Sequence, residues 1–144
     1  MNDEQGLDNF LFLEEYFHQM RTYERMDEVI HYKKQKFRAL QTKESLLANT
    51  TPLATIIHER EKEITSVQDN AYIDFADRYI GGYVLSRGCA QEEILFIRHP
   101  ECCVSIGFFP VMDEHDAISF ENVLCVGSNS GYMDSFRFKD PVVT

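Results

Sequence analysis

The amino-acid sequence predicts an α/β fold, and three observations carry it. Apolar residues recur at helical spacing over residues 8–26. An alternating segment over 71–76 runs directly into Gly81-Gly82. A second helically spaced segment opens after Gly88 and stops at Pro100. Strand, glycine turn, helix and strand again is the order in which α/β units are built.

Taken in chain order, residues 8–26 place Phe10, Phe12, Leu13, Tyr16, Phe17 and Met20 toward a core, with Glu14, Glu15 and Gln19 between them. Residues 29–33 suit a short strand. The basic cluster Lys33, Lys34, Lys36 and Arg38 beside it reads as a solvated edge or loop. Thr50-Thr51-Pro52 marks a break, and Thr55-Ile56-Ile57 starts a further strand. Asp69-Asn70 forms a turn before residues 71–76, read as a buried strand. Gly81-Gly82 is a backbone break that admits positive φ. The helix after Gly88 presents Ala90, Ile94 and Ile97 on one face. Glu92 and Glu93 lie in its first turn and Arg98 in its last, complementing the helix dipole. Residues 101–112 fit either a short helix or a strand. Asn122-Val123-Leu124-Cys125-Val126 is the clearest later strand, residues 127–131 are a turn-rich loop, and residues 132–138 alternate weakly.

Composition narrows the function classes. The 144 residues suffice for one domain with a real core, and 44% hydrophobic with 26% charged residues is globular rather than disordered. A formal net charge of −10 argues against wrapping a nucleic-acid duplex or lying on an anionic membrane. No apolar run reaches the roughly 20 residues of a membrane span, and no signal peptide is visible at the acidic N-terminus. The four cysteines, Cys89, Cys102, Cys103 and Cys125, form no CxxC pair, and the five histidines are not grouped as ligands, so neither a metal nor another cofactor is expected. An acidic chain can still hold an anionic ligand locally, through backbone N–H groups at a glycine turn or helix start.

The chemistry-bearing block is Ile73-Asp74-Phe75-Ala76-Asp77, then Gly81-Gly82, then Gln91-Glu92-Glu93. A strand ends, glycines bring the backbone close to a partner, and a helix opens with two carboxylates. Such an arrangement suits a diphosphate on main-chain donors beside an acid catalyst, although acidic residues in a first turn also serve the helix dipole alone.

In order and spacing, residues 73–94 resemble the signature of the poly(ADP-ribose) glycohydrolase family, a glycine loop followed by a Gln-Glu-Glu triplet. The resemblance continues through His99-Pro100-Glu101 and, more loosely, to Gly131-Tyr132 and Phe136-Arg137-Phe138. It implies a macrodomain-like three-layer fold with a mixed sheet, incomplete in this chain. Residues 1–144 would then form a single partial glycohydrolase-type catalytic domain, with 71–138 as signature region and 1–70 matched only in layout. It further implies metal-free hydrolysis of the ribose–ribose O-glycosidic bonds of poly(ADP-ribose), releasing ADP-ribose. Glu93 matches the catalytic glutamate, Glu92 the residue that orients ribose hydroxyls, and Gln91 lies beside them. Gly81 and Gly82 match the diphosphate loop and Tyr132 an adenine-stacking aromatic. The implied partners are poly(ADP-ribose) or ADP-ribose and, indirectly, poly(ADP-ribosyl)ated proteins, in nucleus or cytoplasm and in the DNA damage response.

Three positions depart from that pattern. Tyr83 stands where the family has a third glycine, which predicts strain or obstruction if the position needs positive φ. Asp77 replaces a ribose-contacting asparagine, and the loop over 127–131 is shorter than its counterpart. Two readings therefore stand: a poly(ADP-ribose) glycohydrolase, or a catalytically inactive, diverged ADP-ribose-binding or scaffold relative of one.

Overall fold

The computed structural model of the chain describes residues 3–21, 29–37, 42–62 and 71–139. The chain divides into two units, one of Met1–Lys36 with Asp74–Thr144 and one of Phe37–Ile73. In the first unit the order is helix α1 (Asp3–Met20), strand β1 (His31–Lys36), and, after the second unit, helix α3 (Gln91–Arg98). A 3-10 helix (Pro100–Gly107), strands β2 (Asp116–Glu121) and β3 (Ser128–Ser130), a 3-10 turn (Met133–Ser135) and strand β4 (Arg137–Lys139) follow. The α/β character expected from the sequence is present. The described strands pair as two antiparallel ribbons, β1 with β2 and β3 with β4.

α1 begins several residues before the predicted start, and residues 22–26 of that prediction lie outside the described residues. Its buried stripe is Asn9, Phe12, Leu13 and Tyr16, spaced i, i+3, i+4 and i+7. Phe10 and Phe17, assigned to the core from sequence, instead face solvent at 55% and 39% exposure. Phe12 and Tyr16 of the stripe pack with Ile80, Val84, Phe96, Ile97, Cys102 and Val126 into one cluster. Each fully buried side chain there contributes roughly 1.5–3 kcal/mol. α3 is therefore clamped by α1 on one side.

β1 and β2 pair with Tyr32 opposite Phe120 and Lys34 opposite Ile118. Phe120 meets Phe96 of α3 edge to face at 5.7 Å and Tyr32 at 5.8 Å, which ties the ribbon to the helix. The Tyr32 hydroxyl also donates to the Glu101 carbonyl at 2.8 Å. Of the basic cluster, Lys34 pairs with Asp116 and Lys36 with Asp113, so these cations close the ribbon rather than form a free patch. Arg38 lies outside the described residues.

Three predicted strands are not strands. Residues 55–57 are irregular and exposed, with Ile56 at 84%. The described portion of the second unit instead holds a short helix, α2 (Lys43–Ala48), capped by Thr42, whose hydroxyl accepts from the Ser45 amide at 3.2 Å. Residues 71–76 form no ladder, and Ile73 and Phe75 point outward. At residues 122–126, Asn122 takes a left-handed φ of 62° that ends β2. Beyond it the Leu124 amide goes to the Glu101 carboxylate and the Val126 amide to the Arg98 carbonyl, each at 2.7 Å. Those amides satisfy a buried acid and a helix end, which leaves the segment irregular. Of residues 101–112, open between helix and strand in the sequence, 101–107 enter the 3-10 helix started by Pro100 and 108–112 are irregular. Among the described residues no helix is long and apolar enough to cross a membrane, and no group of three or more His, Cys, Asp or Glu could hold a metal ion.

Candidate functional site

The first turn of α3 is unusual in burying two consecutive carboxylates, Glu92 at 5% and Glu93 at 6% exposure. Burial of ionised groups requires donors, and the preceding loop provides them. Glu92 Oε1 accepts from the Gly81 amide at 2.8 Å and Oε2 from the Asp77 amide at 2.9 Å. Glu93 Oε1 accepts from the Tyr83 amide at 3.0 Å, and its Oε2 from the Ala90 amide at 2.8 Å, closing the helix start in place of a side-chain cap. Gln91 Oε1 accepts from the Phe75 amide at 2.8 Å. The triplet thus gathers loop 75–83 onto the helix N-terminus.

Glycine is required where loop and acids meet. Gly82 has φ +51°, and a Cβ there would lie 2.5 Å from Glu93 Oε1 and 2.9 Å from Glu92 Oε2. Gly81, at φ +83°, sits over the Phe96 ring and Ile106. A Cβ on Gly88 would collide with Glu93 Cγ, and Gly88 is in turn held by Asn9 of α1, whose Nδ2 donates to its carbonyl at 3.2 Å.

Tyr83 is not among the described residues with positive φ. The strain expected from replacing a third glycine is absent, because the left-handed positions are the two glycines before it. Tyr83 is 72% exposed and, with Asp77, Arg78, Tyr79 and Gly82, lines a cleft of about 390 Å³. Asp77 Oδ1 accepts from the Tyr79 amide at 2.8 Å, a side-chain turn that a carboxylate and an amide make equally well. The amides of Gly81, Gly82, Tyr83 and Val84 all have acceptors within the protein: Glu92, the Tyr79 carbonyl, Glu93 and the Gly81 carbonyl. The sequence reading offered these donors to a diphosphate; in the fold they bind the acids and shape the turn.

Tyr132 lies toward the same end of α3. It opens the turn Met133–Ser135, and the Met133 amide donates to the Cys89 carbonyl, one residue before the helix cap, at 3.1 Å. Tyr132 is 53% exposed.

One further acid, with no role implied by the resemblance, faces the Glu92–Glu93 pair. Asp74 is half-buried, and its Oδ1 is enclosed without a hydrogen-bond partner among the described residues. Burial, reinforced by the charges of Glu92 and Glu93, pushes its carboxyl up to about 7. Burial also raises Glu92, opposed by the Asp77 and Gly81 amides, while the charges of Glu93 and Asp77 add to the rise. The sequence pattern points the other way, since an alternation with its apolar residues inward places Asp74 outward. Asp74 exchanges its proton near neutral pH beside the raised Glu92, and a carboxyl poised in that range is what general acid–base work requires.

A stability prediction follows. With its folded-state pKa raised, Asp74 binds its proton more tightly folded than unfolded, so its contribution is largest below about pH 4 and is lost as pH rises toward 7. Asp74→Asn is expected to raise the melting temperature at pH 8, by roughly 2–4 °C per kcal/mol recovered, and to change it little at pH 4–5. Equal shifts at both pH values would contradict the buried, proton-holding Asp74.

A sequence model of the family described as Poly (ADP-ribose) glycohydrolase (PARG), Macro domain fold, matches residues 43–144. The chain is 46% identical over 71 residues to "Poly(ADP-ribose) glycohydrolase 1" of Arabidopsis thaliana, covering 49% of this chain and 13% of that protein. It is 36% identical over 91 residues to "Probable poly(ADP-ribose) glycohydrolase 2" of the same plant, covering 62% and 17%. To "Poly(ADP-ribose) glycohydrolase 2" of Caenorhabditis elegans it is 38% identical over 66 residues, covering 46% and 14%. The chain thus spans less than a fifth of the length of each of these relatives.

Proposed function

The chain belongs to the poly(ADP-ribose) glycohydrolase family, with its macro domain fold, and from that premise we propose that it hydrolyses the ribose–ribose O-glycosidic bonds of poly(ADP-ribose) to release ADP-ribose. The observation that carries the reading is the buried, donor-satisfied pair Glu92–Glu93 facing a glycine turn. In this proposal Glu93 protonates the departing ribose oxygen as an oxocarbenium-like centre develops, then takes a proton from the attacking water. Glu92 and Gln91 keep loop 75–83 in register and offer their remaining lone pairs to ribose hydroxyls. Asp74, half protonated near pH 7, supplies the cluster's exchangeable proton. Tyr132 stacks on the adenine, and the polymer, free or attached to protein, is met in nucleus or cytoplasm.

Because the turn amides are engaged internally, the diphosphate rests in the cleft beside Arg78, whose amide-linked backbone is held by the Met112 amide at 2.8 Å and whose guanidinium carbon lies 5.5 Å from the Tyr79 ring centroid. Arg78→Gln is expected to weaken ADP-ribose binding roughly 5- to 30-fold, about 1–2 kcal/mol. Calorimetric titration checks this, and unchanged affinity would remove Arg78 from the site.

A second reading, an inactive ADP-ribose binder or scaffold, is favoured by that same engagement of the four turn amides. One experiment separates the two. The purified chain is incubated with poly(ADP-ribose) and free ADP-ribose is measured. Release supports the hydrolase; binding of ADP-ribose without release supports the second reading; neither release nor binding rejects both.

A further inference from the structure

Tyr83 joins a fixed backbone to a free side chain. Its amide donates to Glu93 Oε1 at 3.0 Å. Its carbonyl accepts from the Ser86 amide at 2.9 Å, the Gly88 amide at 3.0 Å and the Ser86 hydroxyl at 3.1 Å. These bonds hold the residue in place, and one of them runs to the acid assigned to the chemistry. The side chain does nothing comparable for the fold. It is exposed, belongs to neither core cluster, and its phenol has no hydrogen-bond partner among the described residues. A large aromatic on a pinned backbone loses little conformational entropy when a ligand stacks on it. The cleft contains a second tyrosine, Tyr79, but its ring already carries the Arg78 guanidinium, 5.5 Å from the centroid. One aromatic of the cleft is thus engaged within the protein, and the other is not.

We propose that Tyr83 is a specificity-determining residue that stacks on the adenine of the departing polymer unit, so that the site takes a chain of ADP-ribose units in preference to a single one. The inference rests on the reading of the Glu92–Glu93 cluster as a site for poly(ADP-ribose). In that polymer the ribose oxygen that Glu93 protonates belongs to an adenosine, so an adenine lies one sugar ring from the bond that breaks. Tyr83 lies one hydrogen bond from Glu93, which brings an aromatic side chain within reach of that base. Adenine presents a flat π-face, and an exposed phenol ring presents the matching one. The retained unit keeps its diphosphate beside Arg78 and its adenine on Tyr132, so the adenines on either side of the bond use different aromatic residues. A glycine at this position, as the resemblance expects, has no side chain to stack. Preference for the polymer is then a property that Tyr83 gives to this chain.

The test compares the wild-type chain with Tyr83→Ala and Tyr83→Phe, with ADP-ribose and its two-unit oligomer as the probes. Tyr83 has no positive φ and its anchoring bonds are all made by its backbone, so melting curves of both variants should match the wild type. Oligomer affinity is read as KM from initial rates of ADP-ribose release, or by calorimetric titration if the chain binds without release. The wild type is expected to hold the oligomer more tightly than ADP-ribose. Tyr83→Ala should weaken the oligomer roughly 5- to 30-fold, the lower part of the range for one base–aromatic stack, with kcat changing less than KM. ADP-ribose affinity should move by less than about twofold, and Tyr83→Phe, which keeps the ring, should retain most of the oligomer's affinity. An oligomer affinity unchanged or raised in Tyr83→Ala, or equal losses for oligomer and ADP-ribose, would overturn the proposal while leaving the reading of the site intact. A wild-type chain that neither binds nor cleaves the oligomer overturns that reading and this inference with it.

Discussion

Replacing Gly82 with alanine is expected to lower ADP-ribose release at least about 100-fold and to destabilise the fold by roughly 1–3 kcal/mol. The new Cβ would stand 2.5 Å from Glu93 Oε1 and 2.9 Å from Glu92 Oε2, and the φ of +51° disfavours any L side chain. A carboxylate at the end of a flexible side chain ordinarily swings aside at little cost. Here both are pinned by backbone amides, so moving either breaks a buried hydrogen bond. Poly(ADP-ribose) turnover and chemical denaturation measure the two effects. Wild-type turnover in Gly82→Ala would mean that the loop and the acids are not one unit.

Glu93→Gln is expected to reduce turnover by about 10²–10⁴-fold, the range lost with a general acid–base. It also turns one Glu93 acceptor into an NH₂ facing a backbone N–H, that of Tyr83 or of Ala90, costing about 1–3 kcal/mol. The stability loss alone leaves the protein folded at moderate temperature, so turnover is compared where melting curves show both proteins native. ADP-ribose affinity should fall far less than turnover, because a group acting in the transition state contributes little to ground-state binding. Parallel losses of affinity and turnover would make Glu93 a binding residue only.

The sequence made α3 legible because all its boundary signals agree: Gly88 before it, acids in its first turn, Arg98 in its last and Pro100 after it. The triplet's internal hydrogen bonds were not legible, since nothing in Gln91-Glu92-Glu93 states which loop its oxygens will hold. Residues 71–76 show the limit well. Their alternation is real but its phase is inverted: Ile73 and Phe75 face outward while Asp74 turns inward. Alternation alone assigns the apolar residues to the buried face, whereas amide donation from Phe75 and Asp77 to Gln91 and Glu92 sets the orientation. β2 was missed because only Ile118 and Phe120 carry its apolar phase, and its place depends on Tyr32 and Phe96, distant in sequence. On α1 the apolar residues exceed one face, and spacing alone does not tell that Asn9 is buried while Phe10 is not.

The most direct test of the account is release of ADP-ribose from poly(ADP-ribose) by the wild-type chain with Glu93→Gln alongside. The account predicts release by the wild type that is proportional to its concentration and nearly abolished in the variant; no release by the native wild-type chain, or equal release by both, would contradict it.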